Sequence, residues 1–195
     1  MVDVMEYSNS ASIEVIVGPM YAGKTEELIR RIHRAEIAEL KVLSFKPKID
    51  NRYNGTAIVS HNGKEAVCHV VENVEEMRRI AEKEDFRVLS IDEIQFFDRT
   101  VVDFCQEVAE RGKRVIVSGL DMDFKGEPFH PVPEMLAVAE HISKLTAICM
   151  KCKMPATRTQ RIVNGKPAKI SDPVVLVGAK ESYEARCRTC HEVLK

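Results

Sequence analysis

The chain of 195 residues has no excess of charge of either sign, and this near balance limits the classes of partner it can bind. Its 29 Lys and Arg residues stand against 30 Asp and Glu residues, so the formal net charge is −1. A general nucleic-acid-binding protein usually has a clear basic excess, and we therefore expect no nucleic-acid partner. A small anionic ligand stays possible, because a local pocket can be positive on a neutral protein.

The sequence also lacks any apolar run near the ~20 residues that span a bilayer, so we expect no membrane association. Residues 1–6 are acidic and do not form the basic segment of a secretory signal, which predicts a cytoplasmic protein. In that reducing compartment, clustered cysteines favour a metal over a disulfide. Hydrophobic residues make up 45 % and charged residues 30 %, an ordinary globular composition.

Short β-branched runs alternate with amphipathic stretches from Ile13 to about Cys149. The predicted strands are 13–17, 42–45, 88–91, 115–118 and 145–148, and the predicted helices are 25–40, 74–83, 100–111 and 133–141. This alternation predicts an α/β fold whose mainly parallel sheet carries helices on both faces. Two Asn-Gly dipeptides, at 54–55 and 62–63, predict a β-hairpin between residues 47 and 71.

The composition changes after Cys149 to Cys, Lys, Arg, Pro and Gly, without a helical period. We therefore expect two domains, a larger α/β domain over 1–148 and a small domain over 149–195.

A phosphate-binding loop is the most specific motif of the chain. It consists of Gly18, Pro19, Met20, Tyr21, Ala22, Gly23, Lys24 and Thr25, which match G-x-x-x-x-G-K-[ST] between a predicted strand and a predicted helix. Backbone N–H groups of such a loop point at the phosphates, and the positive end of the helix dipole adds to their effect. Lys24 is expected to reach the β- and γ-phosphates of a nucleoside triphosphate, and the Thr25 hydroxyl to ligate Mg²⁺. The alternative is a glycine-rich turn without a ligand.

Two carboxylates, Asp92 and Glu93, follow the apolar run 88–91. In P-loop enzymes an acid at this point holds Mg²⁺, and Asp92 is the candidate. Glu93 would polarise a water in an ATPase or accept the proton of the attacking hydroxyl in a kinase. The alternative is that both are solvated residues at the end of a strand.

Four cysteines form two C-x-x-C pairs, Cys149 with Cys152 and Cys187 with Cys190, separated by 34 residues. Two such pairs predict a closed Cys₄ site for structural zinc, with a redox dithiol as the rival. A zinc ion bound by four thiolates has a formal charge of −2, which nearby basic residues would offset. These residues are Lys151, Lys153, Arg186 and Arg188. His191 is a spare ligand that four sulfurs make unnecessary. A zinc ion here would also pin both ends of the 153–186 segment.

Three blocks of sequence together resemble the cytosolic, zinc-containing family of thymidine kinases. They are GPMYAGKTEEL at 18–28, SIDEIQFFD at 90–98, and GAKESY at 178–183 before the second cysteine pair. The resemblance runs from about Ile13 to Cys190, with single departures such as Ile94, Lys125 and Arg158. It implies a RecA-like core, a homotetramer, Mg·ATP as donor, thymidine as acceptor and inhibition by thymidine triphosphate.

The same resemblance assigns roles to individual residues. It makes Glu93 the general base and places Gln95, Asp50 and Arg52 near the reacting hydroxyl and the phosphates. Phe96 and Phe129 would pack beside thymidine, and Tyr183 would close over its sugar. Three residues would form a niche for the 5-methyl group of thymine: Met20, Leu120 and Thr159. Backbone groups would bind the polar edge of the base; they belong to Val174, Val175, Leu176, Val177 and Gly178. The 153–186 segment resembles the lasso that closes over the nucleoside.

Two other functions fit part of the sequence. A P-loop ATPase with a zinc ribbon that grips nucleic acid or protein explains the loop, the acidic strand end and the cysteines. It explains the near-zero net charge less well, and it does not explain the apolar run 174–177. A non-catalytic nucleotide sensor would be expected to lack a base at Glu93.

Overall fold

The computed structural model describes residues 11–49, 57–59, 65–175 and 181–195. Its strands are β1 (Ser12–Val17), β2 (Val42–Pro47), β3 (Ala57–Val59), β4 (Glu65–Val67), β5 (His69–Val71), β6 (Val88–Ile91), β7 (Arg114–Gly119), β8 (His141–Lys144), β9 (Ala147–Ile148), β10 (Pro155–Ala156), β11 (Arg158–Val163), β12 (Lys166–Pro167) and β13 (Glu181–Arg186). Its α-helices are α1 (Lys24–Ile37), α2 (Val74–Ala81), α3 (Thr100–Glu110) and α4 (Val132–Val138), with a 3₁₀ turn over Ile94–Phe96.

The main sheet confirms the predicted α/β class. Its six strands run in the order β5-β2-β6-β7-β1-β8, and every neighbouring pair is parallel. Only β7 separates β1 from β6, with Val17 opposite Gly119 and Ile91 opposite Val117. Because parallel strands end at the same edge, the loop after β1 and the acidic residues after β6 lie at one edge of the sheet.

Each face of the sheet is covered by its own hydrophobic cluster. Helices α2, α3 and α4 pack on one face through side chains such as Met77, Phe104 and Met135. Helix α1 covers the other face through Leu28, Ile29 and Ile32. Helix α1 forms because its apolar residues recur at intervals of one, three and four, which places them on one side. This stripe is completely buried, so α1 is held rigidly behind the loop that precedes it.

The predicted hairpin is present between β2 and β5. Strands β3 and β4 pair antiparallel, with Ala57 opposite Val67. Ile58 of β3 and Ala66 of β4 are buried in the cluster beneath α1. The hairpin therefore helps to cover the α1 face of the sheet.

The prediction of the last strand of the main sheet was wrong by four residues. A helix was expected to continue to His141 and a strand to occupy 145–148, but α4 ends at Val138 and β8 starts at His141. Glu140 stops the helix, since its carboxylate accepts a bond from the Ile13 N–H and its own N–H donates to the Ile13 carbonyl. The short edge strand β8 alternates half-buried and exposed residues, so it lacks the apolar run of a buried strand.

The C-terminal residues form small antiparallel sheets. Strand β9 pairs with β10, and β11 lies between β12 and β13. The run 147–148 therefore pairs with 155–156 near the cysteines, while 141–144 completes the main sheet. The division into domains at residue 148 stays a prediction. Among the described residues, no helix combines the length and apolarity that a membrane crossing requires.

Candidate active site

The loop between β1 and α1 has the backbone shape of a phosphate cradle. Tyr21 and Gly23 adopt left-handed conformations, with φ of 65° and 82°. A Cβ on Gly18 would stand 2.5 Å from the Leu145 carbonyl oxygen, so only glycine fits beside β8. The Lys24 ammonium is buried and donates to the Pro19 carbonyl at 2.9 Å, which folds it across the loop. A positive charge and the N-terminus of α1 thus face the same concave loop.

Asp92 lies directly beside the phosphate-binding loop. The Thr25 hydroxyl lies 3.3 Å from Asp92 Oδ2, while Asp92 Oδ1 accepts bonds from the Ser118 hydroxyl and the Glu93 N–H. Burial, and then the charge of Glu93, raises the pKa of Asp92 to about 6. A hydroxyl and a carboxylate oxygen in contact are a donor set that fits Mg²⁺.

Glu93 is buried and held in an unusual backbone conformation. Its φ of 52° and ψ of 46° place a non-glycine residue in the left-handed region. Such a conformation costs about 1–3 kcal/mol and is concentrated at functional sites. The Gln95 amide donates to Glu93 Oε2 at 2.5 Å, and Gln95 Oε1 accepts from the Leu120 N–H at 2.9 Å. Gln95 therefore links the carboxylate of Glu93 to the end of β7.

Two residues of this arrangement were missed in the sequence analysis. Ser118 holds Asp92, and it could have been found by the signal that found Asp92, a polar residue at the end of an apolar strand. Gly119 lies against the 3₁₀ turn, where a Cβ would meet Gln95 Oε1 at 2.5 Å and Ile94 Cγ2 at 2.7 Å. No local pattern identifies Gly119, because the contact joins two segments that are distant in the chain.

The structure brings together several residues expected at the nucleoside pocket. Phe96 and Phe129 meet edge to face, with ring centroids 6.2 Å apart. The Met20 N–H donates to the Thr159 hydroxyl at 3.1 Å, which joins the phosphate-binding loop to β11. Leu120 follows β7 and contacts Gln95 through its backbone.

The structure describes only some of the remaining residues predicted for the nucleoside pocket. Tyr183 lies opposite Arg161 in the β11–β13 pair. Val174 and Val175 are exposed, at 36 % and 41 % of their full surface. The other predicted positions lie outside the described residues; they are Asp50, Arg52, Leu176, Val177 and Gly178.

The four predicted cysteines converge. Their sulfur atoms all lie within 4.8 Å of one another, and Cys152 Sγ is 3.6 Å from Cys187 Sγ. A tetrahedral zinc with ~2.3 Å bonds needs sulfurs about 3.8 Å apart, so the cluster fits zinc. His191 is not in the cluster, since its Nε2 lies 2.8 Å from the carbonyl oxygen of Phe124.

Backbone N–H groups favour the thiolate form of Cys149 and Cys187, whereas its bond to Cys187 raises the pKa of Cys190. Burial opposes the ionisation of Cys149, yet N–H groups at 151, 152 and 187 outweigh it and lower its pKa to about 6. A bond from the Cys190 N–H is the main cause that lowers the pKa of Cys187. Lys151 and Arg186, two of the four cations expected to offset the zinc charge, also pair with Glu192 and Glu184.

The fold and the site together define an α/β P-loop protein with a Cys₄ cluster. The family model for thymidine kinase matches residues 11–191, and the chain belongs to the thymidine kinase family. Among solved structures, domain III of the Thermotoga maritima replication initiation protein DnaA is similar to 72 % of this chain, at 17 % identity and a TM-score of 0.44. The match spans 57 % of that DnaA chain, and a likeness at this level carries no functional argument.

Proposed function

We propose that the protein transfers the γ-phosphate of ATP to the 5′-hydroxyl of thymidine, giving thymidine monophosphate and ADP. One observation supports this above all others: the phosphate-binding loop, Asp92 and Glu93 meet at one edge of the sheet. A phosphate cradle, a metal-binding acid and an adjacent base are the parts that phosphoryl transfer requires. Membership of the thymidine kinase family supports the choice of acceptor.

ATP binds to the loop 18–25 in this proposal. Backbone N–H groups of the loop hold the phosphates, and Lys24 exchanges the Pro19 carbonyl for the β- and γ-phosphates. Thr25 and Asp92 would hold Mg²⁺, which when bound neutralises charge on the β- and γ-phosphate oxygens. Asp50 and Arg52 complete the phosphate end of the site.

Glu93 acts as the general base. Its carboxylate accepts the proton of the 5′-hydroxyl while that oxygen bonds to the γ-phosphorus and ADP departs with the electrons of the broken bond. Gln95 keeps the carboxylate in place through Glu93 Oε2, and the Leu120 N–H keeps Gln95 in place. A base whose orientation is set before the substrate arrives needs little reorganisation during the reaction.

Thymine is read mainly by backbone groups from Val174 to Gly178. Cytosine has donor and acceptor exchanged at two ring positions, so it would leave buried groups unpaired at about 1–3 kcal/mol each. The 5-methyl group lies among Met20, Leu120 and Thr159, where one methyl is worth about 1–3 kcal/mol. Deoxyuridine is therefore a poorer but real substrate.

Aromatic residues, a structural metal and subunit assembly complete the proposed enzyme. Phe96 and Phe129 pack beside the nucleoside, and Tyr183 closes over the sugar. Zinc on the four cysteines is structural and pins both ends of the 153–186 segment within the small domain 149–195, which follows the nucleotide-binding domain 1–148. The protein works as a cytoplasmic homotetramer.

Incubation with labelled ATP, Mg²⁺ and a panel of nucleosides tests the function. Thymidine monophosphate should form, and Glu93→Gln should lower turnover about 10²–10⁴-fold while ATP binding is kept. Glu110→Gln, on the exposed end of α3, is the matched control and should behave as wild type. ATP hydrolysis without any nucleoside monophosphate would instead favour a P-loop ATPase.

Thymidine triphosphate is the expected feedback inhibitor. Its base would occupy the nucleoside pocket and its phosphates would point to the loop 18–25. We therefore expect inhibition that competes with thymidine in initial-rate measurements. Inhibition that saturating thymidine leaves unchanged would indicate a separate site.

A further inference from the structure

Arg161 is a charged side chain at the centre of the C-terminal sheet, and it is completely buried. It is the largest of the fully buried side chains among the described residues. A buried guanidinium is unfavourable unless nearby groups replace its water. The groups around Arg161 therefore indicate what it holds together.

Arg161 belongs to the face of β11 that looks toward the phosphate-binding loop. Alternate residues of a strand share a face, so Arg161 and Thr159 lie on the same side of β11. The Thr159 hydroxyl accepts the Met20 N–H. The neighbouring Gln160 lies on the opposite side, where its side chain bonds to the backbone of Glu192.

Three segments that are distant in sequence meet at the Arg161 side chain. Its Nη1 donates to the Pro173 carbonyl at 2.6 Å, one residue before Val174. Its guanidinium carbon lies 4.9 Å from the centroid of the Phe124 ring and 5.9 Å from that of the Tyr183 ring. A planar cation can face two aromatic rings and still donate in its own plane, which a lysine ammonium does not reproduce.

We propose that Arg161 is a positioning residue of the nucleoside pocket, an inference that rests on the function proposed above. It fixes the Tyr183 ring and the Pro173 backbone relative to the loop that carries Phe124. Val174 and Val175, the two described residues that follow Pro173, are thereby placed to face the base. Arg161 touches no reacting atom, so its effect falls on nucleoside binding.

Initial-rate kinetics of Arg161→Lys and Arg161→Met test this role. Loss of a bond from a charged donor predicts a rise of about tenfold to a hundredfold in KM for thymidine. KM for ATP, kcat at saturating thymidine and zinc content should stay within about twofold of wild type. Arg161→Lys keeps the charge and one donor, so its KM should lie between those of wild type and Arg161→Met.

Arg78→Met is the matched control, because Arg78 also lies over a ring, 5.3 Å from the centroid of Phe104, and pairs with Glu107. It belongs to α2, outside the site, and should leave all kinetic constants unchanged. If Arg161→Met does not fold, Phe124→Leu removes one of the two rings and should raise KM for thymidine selectively.

An unchanged KM for thymidine in a folded Arg161 variant would overturn the positioning role alone. A parallel rise in KM for thymidine and for ATP would also overturn it, since that pattern reports general loosening of the fold. Absence of thymidine monophosphate with wild-type protein would overturn the proposed function and this inference together.

Discussion

Replacement of Gly119 by alanine should disable the site while leaving the phosphate-binding loop intact. Gly119 is the last residue of β7 and lies against the turn that carries Glu93 and Gln95. The new Cβ would stand 2.5 Å from Gln95 Oε1, 2.7 Å from Ile94 Cγ2 and 3.3 Å from the Ile94 nitrogen. Favourable contacts need about 3.5–4.0 Å, so the turn must move by about 1 Å.

The expected losses of stability and of kcat depend on which groups the movement of the turn displaces. Ile94 and Gln95 are both buried, so neither side chain can swing into solvent. Overpacking of this kind costs about 1–3 kcal/mol of stability. A displacement of about 1 Å at the reacting groups can cost about 10²-fold in rate. We expect kcat to fall about a hundredfold, with ATP affinity little changed because Lys24 and the loop 18–25 are not touched.

Single-turnover kinetics, ATP binding by calorimetry and thermal melting measure these effects separately. Gly112→Ala is the control for general destabilisation: its φ of 79° strains an alanine, but nothing lies within 4 Å of the new Cβ. That variant should lose stability and keep kcat. A Gly119→Ala protein that is folded and has wild-type kcat would refute the claim that the Leu120–Gln95–Glu93 chain positions the base.

Three further perturbations test other parts of the site. Cys187→Ser should abolish stoichiometric zinc in elemental analysis and raise KM for thymidine, while calorimetry should show unchanged ATP binding. Wild-type protein whose cysteines are reduced but hold no metal would exclude the zinc site. In protein free of Mg²⁺ and nucleotide, Asp92→Asn should raise the free energy of unfolding at pH 7 by about 2–3 kcal/mol. The reason is that the raised pKa of Asp92 means that the folded protein disfavours the ionised carboxyl. This gain should narrow towards pH 4, where the wild-type carboxyl is protonated in the folded protein and partly protonated in the unfolded chain. An equal gain at both pH values in thermal melts would contradict the argument. Alanine at Val174, Val175 and Val177 should keep the preference for thymidine in substrate competition, since a switch to deoxycytidine would mean that side chains read the base.

The sequence by itself determined the local chemistry of this protein. The phosphate-binding loop and the acidic strand end were visible because each occupies consecutive residues, and regular spacing marked the cysteine pairs. Strand and helix periodicity then predicted the parallel sheet, which the structure confirms. The sequence also predicted that Asp92 holds Mg²⁺, and the structure places Asp92 beside the loop because strands of a parallel sheet end at a common edge.

Tertiary structure alone decided which distant residues support that chemistry. Gln95 bridges Glu93 to Leu120, Gly119 leaves room for this bridge, and Arg161 joins Pro173 to two aromatic rings. None of these contacts has a local signature, since each depends on how β6, β7 and β11 pack. The edge strand β8 was misplaced for the same reason: its partner β1 is far away in the chain, and an exposed edge needs no apolar run to pair.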